Sequence, residues 1–490
     1  MKTVTFLIGF LFPLSGFAQE LTPVGKIMNV SAPSLGITSS AVVLLWDDTY
    51  VPDYKNMDVQ LPTRMYHIYR DGIKIGSTKQ RSYPVKGFAS SSTYSLAVQL
   101  SEGPVNMSGA DNSIQITTKK ADKVFNVRKY GAKGDGQKLD TKSIQKAINA
   151  CTKGGVVLIP AGTYLVDHIE LKSEMTLELK KGARLNFLDY NEGGNYPASK
   201  AALPGPDGII DYERKYLITA YKVHDVTITG EGTINWNGET WWPYYRTANR
   251  PMGLGFIQSS NILVQGITFQ DSPTCNNHLL YVDSALYSDV KFLLVSRVPP
   301  HNSDGIDADA SCHILVVGCL FGNQDDCFAV KSGNSLVEGN KRRRSTEYIT
   351  VRDCIIDGNA APGSHPLGCV IGSEVSGGAR HIVIQNCEFI DVAGIINIKT
   401  NRKRPFSLVE DVLVENISYT NTKFPELPYT WAPISLDMFY YGKYANPDSV
   451  ASLNPTTSLF RNIRLKNIRI ENPMGKFAYL MQKQSMTNSI

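Results

Sequence analysis

The sequence lacks a long apolar run beyond its first twenty residues, and it lacks a strong charge of either sign. Its 490 residues contain 50 Lys and Arg against 45 Asp and Glu, a net charge of +5. That balance does not supply the dense basic stripe of a nucleic-acid-binding protein. No later run reaches about 18 apolar residues, so no membrane-spanning helix is predicted. With 42% hydrophobic and 19% charged residues, the composition is typical of a globular chain.

The first residues, MKTVTFLIGFLFPLSGFAQE, combine a basic start, an apolar run and small residues at Gly16 and Ala18. This pattern predicts a signal peptide over residues 1–18. We therefore expect a secreted or periplasmic protein.

Short strands and turns over residues 21–120 predict a small β-sandwich. The segment AVVLLWDD places Trp46 on a strand, and YHIYRDGIKIG reads as a hairpin with Asp71 and Gly72 at its turn. Tyr94 in STYSLAV occupies a position typical of a tyrosine corner. The stretch resembles a fibronectin type III domain, and TTKKADK reads as the joint that follows it.

The remainder, residues 125–490, opens with an amphipathic helix, LDTKSIQKAINACTKGG, which has Ile144, Ala147 and Ile148 on one face. A loose repeat follows at spacings of roughly 25–36 residues: VTITGEGTI, ILVQGITF, ILVVGCLF, ITVRDCII, IVIQNCEF, VLVENISY and IRLKNIRI. Each unit is a pair of short strands around a polar or glycine turn, without a helix of its own. The predicted fold is therefore all-β, a right-handed parallel β-helix preceded by a small β-sandwich.

The eight cysteines would permit disulfides in an exported protein. Three of them, Cys319, Cys354 and Cys387, occupy matching positions in the repeat, in an interior ladder with Ile267, Ile417 and Ile468. Matching positions on adjacent coils lie about 4.8 Å apart, whereas disulfide Cβ atoms lie about 3.8 Å apart. Three buried free thiols are therefore predicted.

The segment NQDDCFAVKSG sets Asp325 and Asp326 side by side before an apolar strand. Asp304 in NSDGIDADA comes 21 residues before Asp325, close to the length of one coil, so the three carboxylates are expected on one patch. Like charges at close range raise at least one pKa and give an acid beside bases, as inverting glycoside hydrolysis requires. The spacing alone leaves a Ca²⁺ site or a solvated turn open.

Four motifs in this order, NSDGID, NQDDCFAVKSG, VIGSEVSGG and INIKTNRKR, resemble glycoside hydrolase family 28, the polygalacturonases, over roughly residues 125–480. The resemblance implies that Asp325 is the general acid, that Asp304 and Asp326 activate a water, and that no metal or other cofactor takes part. A sandwich ahead of the β-helix resembles bacterial exo-acting members. The implied protein is a monomeric hydrolase of α-galacturonosidic linkages in pectin or oligogalacturonides, without a nucleic-acid partner.

The sequence also departs from the family pattern. The family's Gly-His-Gly is absent, and His365 in GSHPLGCVIGS is the nearest candidate, the alternative being a loop histidine. The family's Arg-Ile-Lys is replaced by Asn397, Ile398 and Lys399. Lys399 matches the cation that holds a galacturonate carboxylate, and the missing arginine would have to be replaced by Arg402 or Arg404. Two further candidates near the sugar are Tyr440 and His278.

Three rival functions remain at this stage. Asn397 in the arginine position favours a hydrolase of rhamnogalacturonan or of substituted galacturonan fragments. A Ca²⁺-dependent pectate lyase could use the same fold. A glycan-binding β-helix without activity is disfavoured, because Asp304, Asp325 and Asp326 are all present.

Overall fold

A computed structural model describes residues 26–49, 64–101, 112–121, 123–190, 216–244, 250–333, 344–360, 366–400, 407–422, 432–440, 457–472 and 478–481. The expected signal peptide, residues 1–18, lies outside the described residues. Within these ranges, no helix is both long and apolar enough to cross a membrane.

The amino-terminal part forms two antiparallel sheets around a shared apolar core. One sheet contains Ile27–Ser31, Ala41–Asp48 and Ser82–Lys86, and the other contains Tyr66–Arg70, Ile73–Thr78, Thr93–Leu100 and Ser113–Thr117. Trp46 is buried and packs edge-on against Tyr66, with ring centroids 5.4 Å apart. Asp71 and Gly72 form the predicted hairpin turn, and the Tyr94 hydroxyl accepts a hydrogen bond from the Ala89 amide.

These sheets are docked on the side of the solenoid. Val43 and Leu45 pack against Leu263, Leu286 and Val317 of three successive coils. Arg352 donates a 2.8 Å hydrogen bond to the carbonyl of Trp46, and Asp353 accepts one from the Arg81 amide. Apolar packing and buried hydrogen bonds thus both join the two parts.

The larger part is a right-handed parallel β-helix with two sheets in the described residues. The first strand of each coil belongs to the series Val124–Asn126, Gly155–Ile159, Met175–Leu179, His224–Gly230, Ser260–Gln265, Asp283–Ser288, Cys312–Val317, Thr346–Arg352 and Ala379–Gln385. The second belongs to Asp135–Leu139, Gly162–Val166, Ala183–Phe187, Thr233–Asn235, Thr268–Gln270, Lys291–Leu293, Leu320–Gly322, Ile355–Asp357 and Glu388–Ile390. Leu408–Thr420 and Leu459–Glu471 continue both series, and all twenty strands form one sheet.

Most coils also contain a third strand, which the repeat in the sequence did not reveal. These ten strands form a separate sheet: Ile169–Glu170, Tyr216–Tyr221, Met252–Ile257, Asn277–Leu280, Ile306–Asp309, Asp326–Lys331, Leu367–Gly372, Gly394–Lys399, Ile434–Asp437 and Ala478–Met481. The two-strand reading of each unit was therefore wrong. The outward residues of the third strand vary from coil to coil, so this strand does not repeat in sequence.

The bend between the first and second strands of a coil contains a residue in the left-handed conformation. In seven successive coils this residue, which has a positive φ, is Gly266, Asp289, Gly318, Asp353, Asn386, Asn416 or Asn467. Glycine, Asn and Asp tolerate that conformation better than other residues. These are the polar and glycine turns of the repeat, and they fix the coil geometry locally.

The interior of the solenoid contains stacked ladders of like residues. Continuing the paired registers by one residue places Cys319, Cys354, Cys387 and Ile417 on one ladder, and all three cysteines are buried and free. The predicted free thiols are therefore confirmed. The helix Thr141–Ala150 covers the first coils with Ile144, Ala147 and Ile148, as its pattern indicates. The short 3₁₀ segments are Ser34–Gly36, Val127–Tyr130, Gly238–Thr240, Trp242–Tyr244 and Gly358–Ala360.

Candidate active site

The ten-stranded sheet turns one set of side chains into the core and the alternate set away from it. Core residues on five successive strands are Leu279, Ala308, Val330, Ile371 and Ile398. The alternate positions of the same strands carry His278, Asp307, Asp309, Lys331, Asn397 and Lys399. Because strand side chains alternate between faces, this second set shares the outer face of the sheet.

The three predicted catalytic aspartates come together beside this face. Ile306 pairs with Phe328, and continuing that register by two residues places Asp304 level with Asp326. The Gly305 amide donates a 2.9 Å hydrogen bond to the Asp326 carbonyl, which locks the two segments together. Asp325 precedes the strand Asp326–Lys331, and its Oδ1 accepts from the Asp326 amide at 3.1 Å. The expected convergence of three carboxylates from two adjacent coils is present.

A buried asparagine secures the loop that presents the acid pair. The Nδ2 of Asn323 donates to the carbonyls of Ser303, Asp325 and Asp326 at 3.0, 3.3 and 3.3 Å. One side chain therefore ties the segment containing Asp304 to the segment containing the other two acids. Asn323, two residues before the acid pair, thus has a structural role and does not lie in a solvated turn.

Asp325 is further held by a chain of polar contacts from its open side. Asn302 donates to Oδ2 of Asp325 at 3.4 Å, and Arg250 donates to Oδ1 of Asn302 at 2.9 Å. Arg250 also bonds the carbonyls of Pro273 and His301 at 2.7 and 2.6 Å. Asp325 is half-buried, whereas Asp304 and Asp326 are only 8% and 4% exposed, so Asp325 is the most accessible of the three acids.

A partly buried lysine bridges two acids on the same face. The Nζ of Lys331 lies 3.2 Å from Oδ2 of Asp304 and 2.8 Å from Oδ2 of Asp307. Burial lowers the pKa of an ammonium, but the carboxylates of Asp307 and Asp304 outweigh it and raise the pKa of Lys331 well above its usual value. Lys331 therefore stays charged and compensates two carboxylates that are nearly out of water.

Two buried acids of the cluster, Asp304 and Asp326, have raised pKa values. Burial, followed by the charge of Asp307, raises the pKa of Asp304 well above its ordinary value, and Lys331 opposes this. Burial also raises the pKa of Asp326 to about 6, with Lys399 opposing and Asp325 reinforcing the shift. A carboxylate whose pKa approaches neutrality is a stronger base than an ordinary Asp once it is ionised.

Lys399 forms an ion pair with Asp326 on the outer face of the sheet. Its Nζ is 3.3 Å from both carboxylate oxygens of Asp326, and it lies 5.4 Å from the ring centroid of Tyr440. Asn397, two residues earlier on the same strand, is 7% exposed, and its Oδ1 has no hydrogen-bond partner among the described residues. Lys399, Tyr440 and Asp326 thus form one cluster, beside a buried amide oxygen left without an internal partner.

His278 is positioned on the next coils of the same face. Its strand pairs residue to residue with Ile306–Asp309, so that His278 lies beside Asp307. The Nδ1 of His278 is 2.7 Å from the Tyr216 hydroxyl, and Nε2 is 3.5 Å from Oδ2 of Asp309. A Cβ at Gly255 would lie 2.5 Å from the Tyr216 ring, so glycine is needed there for the tyrosine to reach the histidine.

Two sequence candidates, His365 and Arg402, lie outside the described residues, as does Arg404. Conversely, sequence reasoning missed Asp307, Lys331 and Arg250. A signal for the first two did exist, because NSDGID and DDCFAVK place Asp307 and Lys331 on the outward positions of their strands. Arg250 carried no recognisable signal, since its contacts are to distant loops.

The three aspartates are more widely spaced than a compact metal site. Two groups in the described part of the chain bring one ligand atom of each member within 4.8 Å of the others: Asp283 with Cys312 and His313, and Glu174 with His224 and Asp225. Asp304, Asp325 and Asp326 are not such a group.

Fold and site together define a parallel β-helix protein with an acid cluster on one sheet face. The family model for glycosyl hydrolases family 28 matches residues 151–486. The match spans well over half of the chain, and the chain belongs to this family.

Similar proteins are found among both sequences and structures. A "Probable polygalacturonase" of Vitis vinifera is 30% identical over 311 residues, covering 60% of this chain and 60% of that protein. An exo-poly-alpha-D-galacturonosidase of Dickeya chrysanthemi is 29% identical over 428 residues, covering 72% and 68%. The Yersinia enterocolitica family 28 exopolygalacturonase structure superposes with a TM-score of 0.65 at 20% identity, covering 90% and 86%, and supports the fold. The chain spans less than two thirds of the length of the grape protein.

Proposed function

We propose that this protein hydrolyses α-galacturonosidic linkages of pectin by an inverting mechanism. The observation that carries the proposal is the convergence of Asp304, Asp325 and Asp326 with two lysines, the partly buried Lys331 and the buried Lys399, on one sheet face. Acids and cations are both needed, because the reaction requires proton transfer and the substrate carries a carboxylate. Membership of the family supports this assignment.

In the proposed reaction, Asp325 gives its proton to the glycosidic oxygen as the bond to the anomeric carbon breaks. Asp326 and Asp304 take a proton from a water, whose oxygen attacks that carbon from the opposite face. The accessibility of Asp325 supports its role as the acid, since the acid has to touch the leaving oxygen. The ion pairs of Asp326 with Lys399 and of Asp304 with Lys331 support their roles as ionised bases.

We assign recognition of the uronate carboxylate to Lys399 and its surroundings. Lys399 has only Asp326 as an ion-pair partner among the described residues, so it can share its remaining protons with a substrate carboxylate. Asn397 contributes an unpartnered amide oxygen that accepts a hydrogen bond from a sugar hydroxyl. Tyr440 and His278 complete the proposed sugar-binding surface, and His365 and Arg402 remain proposals on sequence grounds.

We further propose that the enzyme is exported, monomeric and acts from chain ends. The names of the Dickeya and Yersinia relatives, an exo-galacturonosidase and an exopolygalacturonase, support the cutting position. The signal-peptide pattern of residues 1–18 supports export.

A second candidate substrate is rhamnogalacturonan or a substituted galacturonan fragment. Asn397 favours it, because an amide replaces the arginine expected beside Lys399 and weakens recognition of a second negative charge. The two candidates share the same catalytic acids and differ only in the sugars bound on either side of the cut.

Product analysis on polygalacturonate and on rhamnogalacturonan oligomers tests the proposal. We expect release of galacturonate from chain ends, with the first-formed product in the β configuration by NMR, and unchanged turnover in EDTA. Unsaturated, ultraviolet-absorbing products that require Ca²⁺ would identify a lyase instead. Cleavage confined to rhamnogalacturonan oligomers would favour the second substrate.

A further inference from the structure

A groove lies between the amino-terminal sheets and the solenoid, away from the acid cluster. It has a volume of about 380 Å³, and both parts of the chain line it. The sandwich contributes Thr38, Ser39 and Ser40, and the solenoid contributes the outward side chains of its first strands. The acid cluster belongs to the ten-stranded sheet, whereas this groove lies on the twenty-stranded sheet.

On the solenoid side of the groove, the residues of one ladder change from polar to apolar along successive coils. Thr176, Thr227, Leu263 and Leu286 follow one another in register from coil to coil. The two leucines are covered by the sandwich, whereas the two threonines line the groove. The uncovered part of this face is therefore polar where the covered part is apolar.

A buried amide in the lining lacks a partner. Gln265 is 2% exposed, and neither its Oε1 nor its Nε2 has a hydrogen-bond partner among the described residues. In the register of the sheet it follows Glu178 and Thr229, which also line the groove. Leaving a buried polar group unpaired is costly, so this amide is suited to a ligand that forms hydrogen bonds with it.

Lysines from both parts surround this polar surface. The lining contains Lys86, Lys119, Lys120, Lys180 and Lys181, and its acids are Glu178 and Glu231. Lys86 pairs with Glu231 and Lys180 with Glu178. In the described residues, Lys119, Lys120 and Lys181 have no ion-pair partner, and all three are exposed. The groove therefore carries positive charge that the protein itself does not neutralise.

We propose that this groove is a second binding site for an acidic polysaccharide, occupied by a galacturonan chain at a distance from the cut. Hydroxyls and the Gln265 amide match sugar hydroxyls, and the three lysines match uronate carboxylates. The lining contains no arginine, whose planar fork is the usual reader of phosphate and nucleic acid. The groove thus gives the amino-terminal sheets a role in holding polymeric substrate.

The identity of the polysaccharide rests on the proposed function, so binding and turnover are measured separately. Binding is measured by affinity electrophoresis of the full chain in gels that contain polygalacturonate, with Asp325→Asn in every variant to prevent digestion. The test variant combines Lys119→Gln, Lys120→Gln and Lys181→Gln. We expect its association constant to fall at least about fivefold, since three exposed charge pairs with uronate carboxylates are lost.

A charge-matched control removes three exposed lysines that do not line the groove. Lys129→Gln, Lys142→Gln and Lys146→Gln lie on the segment Val127–Tyr130 and the helix Thr141–Ala150. This triple variant should keep its affinity within about 1.5-fold, because it loses the same net charge but no groove contact. Equal losses in both triple variants, or no loss in the first, would overturn the proposal.

Two further measurements separate the groove from the acid cluster. Gln265→Leu removes the amide without changing charge, and we expect weaker polygalacturonate binding with a melting temperature that does not fall. With Asp325 intact, the Lys119, Lys120 and Lys181 triple variant should lose kcat/KM on polygalacturonate but keep it on digalacturonate. If the protein cleaves no galacturonan but shows the lysine-dependent binding, the proposed function is refuted and the binding site in the groove is supported.

Discussion

The two faces of the ten-stranded sheet are built from the same strands, and many side chains on both are buried. The faces differ in the chemical character of these side chains and in the residues that they contact. Ile398 points into the core and is fully buried, and its neighbour Lys399 is only 7% exposed on the opposite face. Inward residues meet like residues on the adjacent coils. Outward residues meet opposite charges, as Lys331 meets Asp304 and Asp307.

This difference separates stability from function along a single strand. A buried aliphatic side chain stabilises the fold wherever it lies in the ladder. A buried ion pair costs desolvation that its mutual attraction roughly offsets, so it adds little net stability. Asp304, Asp307, Asp326, Lys331 and Lys399 together form a network that a stable solenoid does not require. We attribute their presence to the proposed chemistry at this face.

Asp325→Asn tests the outward face most severely. The change removes the proposed proton donor and keeps its shape, so we expect kcat to fall by about 10²–10⁴-fold or more, with unfolding unchanged. Steady-state hydrolysis of oligogalacturonides and thermal denaturation measure the two quantities. More than a tenth of wild-type activity remaining would exclude Asp325 as the acid.

Lys331→Met should destabilise the fold by about 3–5 kcal/mol at neutral pH, because it leaves two buried carboxylates without a cation. Chemical denaturation measures the free energy of unfolding. The loss should shrink as the pH falls, because burial raises the pKa of Asp304 well above its ordinary value and this carboxylate is then neutralised by a proton. Adding Asp307→Asn should recover part of it, whereas an unchanged free energy of unfolding would refute the compensating role of Lys331.

Lys399→Met should lower kcat/KM on galacturonate substrates by roughly 10–150-fold. A charge-assisted hydrogen bond to a carboxylate contributes about 1.5–3 kcal/mol, at about 1.4 kcal/mol per decade. Because Lys399 also contacts Asp326, some loss is expected on uncharged α-glycosides, but a smaller one. Ile398→Ala is the matched inward control, and it should cost about 2–5 kcal/mol of stability with kcat/KM retained. Equal losses on charged and uncharged substrates would confine Lys399 to a structural role.

The pH dependence gives the smallest and finest test. Asp326 has its pKa raised from 3.8 to about 6, so its proton is retained in the folded protein and lost more easily in the unfolded one. Its contribution to stability is therefore fully present below about pH 4 and disappears as pH rises through 6. Activity has the opposite sign, because the base has to be ionised, and kcat/KM should rise through about pH 6.

Lys399→Met should move this acidic limb upward, since Lys399 opposes the rise in the pKa of Asp326. An acidic limb near pH 4 in the wild type, or one that does not respond to Lys399→Met, would contradict Asp326 as the base. Asp304, Asp325 and Lys331 act on the same titration and are left in place by this change.

The sequence by itself determined the fold to the extent that the fold repeats. Left-handed Gly, Asp and Asn residues recur at the turn between the first two strands of successive coils. Cys319, Cys354 and Cys387 recur at one interior position of three successive coils. Each of these repeated residues indicates the local conformation of its own coil. The sequence also determined that the three acids converge, because Asp304 lies about one coil before the adjacent pair Asp325 and Asp326. Local conformation and a fixed coil length are sufficient for these features.

Only the tertiary structure decided which side chains meet on the outer face of the third strand. Strand alternation places Asp307 and Lys331 on outward positions, but it does not show that Lys331 bridges Asp304 and Asp307. The third strand has no repeating sequence, so its pattern also does not show that Lys399 contacts Asp326, 73 residues earlier in the chain. Nor could the chain show that Lys119, Lys120 and Lys181 share a groove. Coil-to-coil register and the docking of the sandwich bring these residues together, and both depend on packing between segments distant in sequence.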